Sequence, residues 1–129
     1  MLILDSDACI DVLRGTDDGQ RVVRLVGDET PAMSVITLHE LVEGARRSHD
    51  PARSRRDIDR FVAAFDVLPL TPEVAWISGS VAGDLARAGA AIGDLDTLIA
   101  ATALHHGGAL VTRNERHFRR VPGLTVLAP

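Results

Sequence analysis

The 129-residue sequence contains neither lysine nor tyrosine, and it has only one cysteine, one tryptophan and three phenylalanines. The absence of lysine excludes P-loop nucleotide chemistry and Schiff-base catalysis, because both require a lysine amine. A single cysteine, Cys9, cannot form an internal disulfide, which is typical of a protein kept in the reducing cytoplasm. We expect Cys9 to be a buried core thiol. The few aromatic residues provide no visible platform for stacking nucleobases.

Long apolar runs and a strong charge imbalance are also missing. No segment approaches the roughly 20 apolar residues that span a bilayer, and no basic start precedes an apolar core as in a secretory signal. The net charge of -4 argues against a general nucleic-acid coat, although all 14 cations are arginines. The length and composition fit one compact globular domain over residues 1–129.

Short apolar runs alternate with segments of helical spacing. The runs predict five strands, over Leu2–Leu4, Ala32–Ile36, Val67–Leu70, Ala109–Thr112 and Leu124–Leu127. The segments between them predict helices over residues 7–13, 17–28, 37–48, 51–65, 71–89 and 95–107, the last one apolar nearly all round and packed inside. Strands separated by helices indicate parallel βαβ units. We therefore predict an α/β fold, a three-layer sandwich with a central, mostly parallel sheet flanked by helices.

Polar residues come directly after three of the predicted strands. Asp5 follows the first strand, Thr37 follows the second, and the segment from Thr112 to Asn114 closes the fourth. Sites in open α/β sheets form beyond the carboxyl ends of the strands. We expect one crevice at that edge to gather four polar residues: Asp5, Glu40, Asp96 and Asn114.

Each acid also has a purely structural interpretation. Asp5 is placed to cap the helix that follows it, as are Asp94 and Asp96 at the start of the buried helix. Glu40 fits a capping box that begins at Thr37. The local sequence leaves both interpretations open.

A cluster of these acids would need a cation. Neighbouring carboxylates repel one another, and a bound divalent metal removes the cost of keeping them ionised. Carboxylate and water ligands without a cysteine or a paired-histidine motif favour Mg²⁺ or Mn²⁺ over zinc. The adjacent pair His105 and His106 lacks the spacing that places two imidazoles on one helical face.

The arginines are concentrated in two runs, at residues 46–60 and 113–120. Solvated helix faces are the ordinary interpretation of such runs, and a rim that contacts phosphates is the alternative. Four of these arginines are our candidates for RNA contact: Arg46, Arg47, Arg113 and Arg116.

The sequence resembles the PIN-domain ribonucleases of the VapC toxin kind over nearly the whole chain. Four segments carry the resemblance: LILDSDACID, TLHELVEGARR, IGDLDTLIAATALHHGGALVTRNERHF and VPGLTVL. The most specific part is DTLIAATAL followed by ALVTRN. The opening LILDS would be a weak signal on its own.

The resemblance implies an endoribonuclease that uses Mg²⁺, with Mn²⁺ possible, to activate water for cleavage of RNA phosphodiester bonds. Asp5 and Asp96 would bind the metal, and Glu40 would hold the attacking water or accept its proton. Asn114 would complete the catalytic set. Four neighbouring residues would have supporting roles: Ser6, Thr112, Asp94 and Glu115.

The fourth acidic position departs from the pattern that the resemblance implies. The strand end continues as Asn114 and Glu115, and His117 precedes Phe118 where an aspartate is common. Asn114 can still orient a water or ligate weakly, and Glu115 supplies charge if it points inward. The departure leaves open whether the site holds one metal or two.

The resemblance also implies partners. These are RNA, a cognate VapB-like antitoxin whose tail lies across the crevice, and a second copy of the chain, giving a homodimer and a heterotetramer or larger assembly with antitoxin. No membrane is involved. The helix faces around Leu41, Val42, Val62 and Phe65 are either core or groove. Trp76 is either buried or a dimer contact.

Two other functions remain as alternatives. The stretch LILDSD fits the D-x-D start of haloacid-dehalogenase-like phosphatases, and Gly93 to Asp96 imitates their late acidic motif. That family normally uses a lysine, as do response-regulator receivers, so we interpret Asp7 as an acid of the first helical turn. The second alternative is a PIN-like module that binds RNA or protein without cutting.

Overall fold

The computed structural model describes residues 1–129, which form five strands and seven helices. The strands are β1 (Leu2–Leu4), β2 (Ala32–Ser34), β3 (Asp66–Leu68), β4 (Ala109–Val111) and β5 (Thr125–Leu127). The helices are α1 (Ser6–Arg14), α2 (Asp17–Val26), α3 (Val35–Arg46), α4 (Pro51–Val62), α5 (Pro72–Arg87), α6 (Asp94–His106) and α7 (Glu115–Phe118). None of the helices has both the length and the apolar content needed to cross a membrane.

The strands form one sheet in the order β3-β2-β1-β4-β5, and every pair is parallel. The predicted α/β sandwich with a parallel sheet is thus confirmed. From β1 the chain first builds outward through β2 and β3, and it then returns to add β4 and β5 on the other side of β1. Polar residues that follow β1, β2 and β4 therefore meet where the winding direction reverses, which is where open sheets form their sites.

The core lies on both faces of the sheet, because successive strand residues point to opposite sides. Ile3 packs with residues of α5, α6 and α7, whereas Leu4 packs with residues of α1 to α4. Cys9 is fully buried in the second cluster, as predicted. Helix α6 is buried on most of its surface, also as predicted.

One predicted boundary, the start of α5, is confirmed, and another, the end of β2, is wrong. Thr71 caps α5 by accepting a hydrogen bond from the amide of Val74, as its position before Pro72 predicts. The predicted strand Ala32–Ile36 is too long, because the Ser34 hydroxyl accepts the amide of Ile36 and starts α3 there. Thr37 consequently lies inside α3 instead of at a strand end.

Helices α1 and α2 approach each other closely at Gly19. A Cβ atom at this position would lie 2.1 Å from the carbonyl oxygen of Asp11, far inside van der Waals contact. Only glycine fits there, so α2 fixes the position of α1 and of the acids at its amino-terminal end.

Candidate active site

Asp5 lies directly beyond the central strand and is almost fully buried. It is the N-cap of α1, and its Oδ1 accepts the amide of Ser6 at 2.8 Å. Its Oδ2 accepts the hydroxyl of Thr112, at the end of β4, at 2.9 Å. The two interpretations of Asp5 are therefore compatible, since one carboxylate caps the helix and also faces the neighbouring strand end.

The Thr112 hydroxyl joins two acids. Its Oγ1 lies 2.9 Å from Asp5 and 3.3 Å from Oδ2 of Asp7, and it also accepts the amide of Asn114 at 3.0 Å. A hydroxyl has one proton, so it donates to one of the two carboxylates at a time. The other carboxylate remains short of a donor, which favours either a proton or a cation nearby.

Asp7 belongs to this cluster, although the sequence analysis assigned it only to the helix. It does lie in the first turn of α1. Its Oδ2 also accepts the amide of Arg113 at 3.1 Å, which ties α1 to the segment after β4. The D-x-D spacing was the available signal, because Asp7 follows Asp5, the acid at the strand end, by two residues.

Glu40 reaches the cluster through a hydroxyl. Ser6 donates from its Oγ to Oε1 of Glu40 at 2.7 Å, joining α1 to α3. The proposed capping box of Thr37 and Glu40 is wrong, because α3 begins at Val35 and Ser34 is its cap. Glu40 therefore has no role at the helix end, and its contact with Ser6 accounts for its position.

Asp96 lies in the first turn of α6 and is held by a histidine. Its Oδ2 is 3.0 Å from Nε2 of His117, and both side chains are about three-tenths exposed. The same Nε2 is 2.7 Å from the carbonyl oxygen of Ile92. A carbonyl oxygen only accepts, so Nε2 carries a proton.

The acids of α1 and α6 influence one another electrostatically. Burial raises the pKa of Asp5 to about 7, and the charges of Asp7 and Asp96 add to the increase. Burial also raises the pKa of Asp7. The pKa of Asp96 is raised by burial and by Asp7, against the opposing effect of His117. Asp5, Asp7 and Asp96 thus form one acidic cluster, with Glu40 attached through Ser6.

The donor set fits a hydrated magnesium or manganese ion better than a metal caged by protein. No three histidine, cysteine, aspartate or glutamate side chains are arranged to hold an ion by themselves. Mg²⁺ usually keeps several waters and takes only one or two carboxylates. The buried Asp5 and the half-buried Asp96 are oxygen donors of that kind, and neither forms an ion pair with an arginine.

Three other predicted site residues have different surroundings. Asp94 is exposed and makes no hydrogen bond or ion pair to the cluster. Asn114 contributes its backbone amide to Thr112, while its side chain is exposed and does not cap α7. Glu115 pairs with Arg119, the residue directly after α7, so its charge is engaged there and not with the acids of the cluster.

The candidate arginines fall into two groups. Arg47 pairs with Glu43 at 2.8 Å, and Arg113 pairs through Nε with the buried Asp11 at 2.8 Å. Arg46 and Arg116 are exposed and form no ion pair. Of the four candidates, only Arg46 and Arg116 are therefore available to phosphates without breaking an existing ion pair.

A groove of about 770 Å³ runs between α1, α3 and α4 beside Glu40. Its walls include Leu13, Leu41, Ile58 and Phe61, with Arg14 and Arg60 among the polar lining residues. Leu41 and Ile58 are themselves nearly inaccessible. Of the four residues for which core and groove were open, Leu41 lies in the core and also lines the groove. Val42, Val62 and Phe65 do not line it, and Val62 and Phe65 pack against the core.

Comparisons with known proteins agree on one family. The model of the PIN domain family matches residues 2–124. The tRNA(fMet)-specific endonuclease VapC of Salmonella typhimurium is 32% identical over 124 residues, covering 96% of this chain and 94% of the relative. The protein of the same name from Shigella flexneri is 34% identical over 122 residues, covering 95% and 92%.

The fold comparison points the same way. The crystal structure of VapBC2 from Rickettsia felis, bound to a DNA fragment from their promoter, superposes with a TM-score of 0.90. The two sequences are 25% identical, and the match covers 99% of this chain and 98% of the other.

Proposed function

The chain belongs to the PIN-domain family as a ribonuclease of the VapC type, and from that premise we propose that it is a metal-dependent endoribonuclease toxin. The observation that carries the metal dependence is the acidic cluster. Burial raises the pKa of Asp5, Asp7 and Asp96 at the carboxyl edge of the sheet, and the charge of Asp7 adds to the increase at Asp5 and at Asp96. A divalent cation is the ligand that relieves this cost.

Asp5 and Asp96 are the residues that would hold Mg²⁺, with Mn²⁺ as a substitute. When bound, such a cation lowers the pKa of a coordinated water and neutralises charge on the phosphate oxygens during in-line displacement. Asp5 caps α1 and Asp96 lies in the first turn of α6, so the fold, and not a local sequence motif, fixes the distance between the two carboxylates.

Glu40 is our candidate for proton acceptance. Its Oε1 is occupied by the Ser6 hydroxyl at 2.7 Å, whereas its Oε2 makes no hydrogen bond within the chain. Oε2 would take the proton of the attacking water as the water oxygen bonds to phosphorus. The bond from phosphorus to O3′ would then break, and O3′ would take a proton from solvent water, which leaves a 5′-phosphate and a 3′-hydroxyl.

Arg46 and Arg116 are the arginines that would neutralise flanking phosphates, because neither is engaged in an ion pair. Arg47 and Arg113 would have to leave Glu43 and Asp11 first. A single strand or a loop is the RNA form best able to enter a recessed crevice. Two relatives are named for tRNA(fMet), so this tRNA is the first substrate to test.

A VapB-like antitoxin is the proposed protein partner, since a structural neighbour is a VapBC assembly. The groove along α1, α3 and α4 is the surface that we assign to it, because the groove is apolar and opens beside Glu40. Trp76 on α5 is 79% exposed, so it is not buried in this chain, and we assign it to contact with a second copy in a homodimer. Such dimers would assemble with antitoxin into a heterotetramer or a larger complex in the cytoplasm.

Neither alternative from the sequence gains support. The family match excludes the haloacid-dehalogenase-like phosphatase. For the non-catalytic module, the altered fourth position remains the only argument, and cleavage of RNA distinguishes the two possibilities.

The decisive experiment is cleavage of tRNA(fMet) and of a mixed RNA pool by the purified chain, with Mg²⁺ and with EDTA. We expect fragments with 5′-phosphates in Mg²⁺ and none in EDTA. Asp96→Asn should reduce the rate more than about a hundredfold, beyond the loss typical of an outer-shell partner. Asp94→Asn, a matched change two residues earlier at an exposed position, should leave the rate within about twofold. Equal rates for wild type and a folded Asp96→Asn variant would remove the proposed metal site.

A further inference from the structure

The imidazole of His117 connects three parts of the chain. It lies in α7, and it contacts the Ile92 carbonyl in the segment before α6 and the Asp96 carboxylate within α6. Phe118, the next residue, is fully buried and anchors α7 in the core. Arg120 adds a second link to the same segment, from its Nη1 to the Ala91 carbonyl at 3.3 Å.

The Ile92 carbonyl is a fixed acceptor. It precedes Gly93, whose φ of +94° lies in the left-handed region that favours glycine. The Gly93 carbonyl in turn accepts the Thr97 hydroxyl at 2.6 Å. Nε2 of His117 thus donates its proton to the Ile92 carbonyl at 2.7 Å and lies 3.0 Å from the Asp96 Oδ2 atom.

We propose that His117 is a positioning residue that holds Asp96 in the orientation needed to bind the divalent cation. This inference rests on the proposed function. One carboxylate oxygen, Oδ2, is fixed by His117, while Oδ1 makes no hydrogen bond within the chain and is left for the ion or its waters. Because Nε2 carries the proton donated to Ile92, His117 contacts the acid through its N–H edge and is not a metal ligand through that atom. Groups that orient a ligand in this way typically affect metal affinity by about 10–100-fold.

The test is the affinity of the full chain for Mn²⁺, measured by calorimetry in the absence of RNA. His117→Met and His117→Gln differ little in size, but only glutamine has an N–H donor able to replace Nε2. We expect His117→Met to weaken Mn²⁺ binding by about tenfold and His117→Gln to recover most of the loss. His39→Met is the control, because His39 also approaches a carboxylate, at 3.7 Å from Glu43, but at an exposed position outside the site.

A purely structural role predicts a different result. Loss of the contact with Ile92 would then lower the thermal stability of the metal-free chain and leave the Mn²⁺ dissociation constant unchanged at temperatures well below unfolding. That result, or equal affinities for the methionine and glutamine variants, would overturn the inference. If His117→Met does not fold, His117→Ala takes its place as the variant without a donor: Mn²⁺ affinity about tenfold weaker than that of His117→Gln supports the inference, and equal affinities overturn it.

The same titration separates this inference from the proposed function. If wild type binds Mn²⁺ and Asp96→Asn does not, the metal site stands and only the role of His117 is at issue. If wild type takes up no Mn²⁺, the proposed metal dependence fails and this inference fails with it.

Discussion

Helices α1 and α6 each present an acid to the same site, but the two acids are held by different chemistry. Asp5 is almost fully buried and accepts hydrogen bonds from neutral groups, the amide of Ser6 and the hydroxyl of Thr112. Asp96 is half-buried, and its Oδ2 lies 3.0 Å from Nε2 of His117, a side chain that is itself able to carry charge. Burial therefore dominates the ionisation of Asp5, whereas an imidazole offsets part of the same effect at Asp96.

A small sheet can therefore keep like charges together in two different ways. At the start of α1 the cost of ionising Asp5 is large and a cation is needed to remove it, because the surrounding donors are neutral. At α6 the imidazole of His117 removes part of the cost of ionising Asp96. We therefore expect changes in pH, bound metal and packing to have strong effects around Asp5 and α1.

The largest effect should come from disturbing the support of α1. Gly19→Ala places a Cβ atom 2.1 Å from the Asp11 carbonyl oxygen, and backbone has to move to accommodate it. We expect the free energy of unfolding to fall by more than about 3 kcal/mol, at the upper end for overpacking. Gly83→Ala in α5 is the control, because nothing lies within 4 Å of its Cβ and a helical alanine is favoured. Urea denaturation measures both, and a neutral Gly19→Ala would mean that α1 is not fixed there.

The next effect is the pH dependence of stability in the metal-free protein. The folded-state pKa of Asp5 is raised to about 7 from 3.8, so folding favours its protonated form. Its contribution to stability is full below about pH 4 and is lost as the pH rises through about 7. Asp5→Asn should therefore match wild type near pH 4 and exceed it at pH 8, by up to about 4 kcal/mol.

Urea denaturation at each pH, with and without Mg²⁺, measures this difference. Saturating Mg²⁺ should raise the stability of wild type at pH 8 and leave that of Asp5→Asn nearly unchanged, because the ion binds the ionised acid. Parallel stability curves for the two proteins across the whole pH range would contradict the assignment of the raised pKa to Asp5.

The smallest effect should come from the hydroxyl between the α1 acids. Thr112→Val keeps the shape of the side chain but removes the donor to Asp5 and the acceptor for the Asn114 amide. We expect about a tenfold loss of RNA cleavage, as for other groups that orient metal ligands. Thr102→Val is the control, since Thr102 is equally buried but bonds only the Leu98 carbonyl within α6. Equal rates for the two variants would show that the neutral donors are dispensable.

The arrangement of the sheet could be predicted from the sequence because it depends on local patterns. Apolar runs separated by helical spacing leave few arrangements other than parallel strands between helices. The error at β2 has a local cause as well. Val35 and Ile36 extend an apolar run typical of a strand, and a single hydrogen bond from the Ile36 amide to Ser34 was enough to start a helix instead.

The site was predictable only in part, because its contacts join distant segments. Asp5, Glu40 and Asp96 could be placed at one edge of the sheet from their positions in the sequence. The role of Asp7 depends on the Thr112 hydroxyl and the Arg113 amide, more than 100 residues away in the chain. His117 was noted only as a departure from an acid, since its carbonyl partner, Ile92, gives no signal in the sequence.

The position of β4 next to β1 has a consequence for translation. The acids Asp5 and Asp96 precede Thr112 and His117 in the chain, so the ribosome adds these carboxylates before the groups that contact them. A nascent chain that stops before residue 112 has the carboxylates but lacks both of these partners. The proposed nuclease would therefore be inactive in such an incomplete product, which would leave the RNA around it intact.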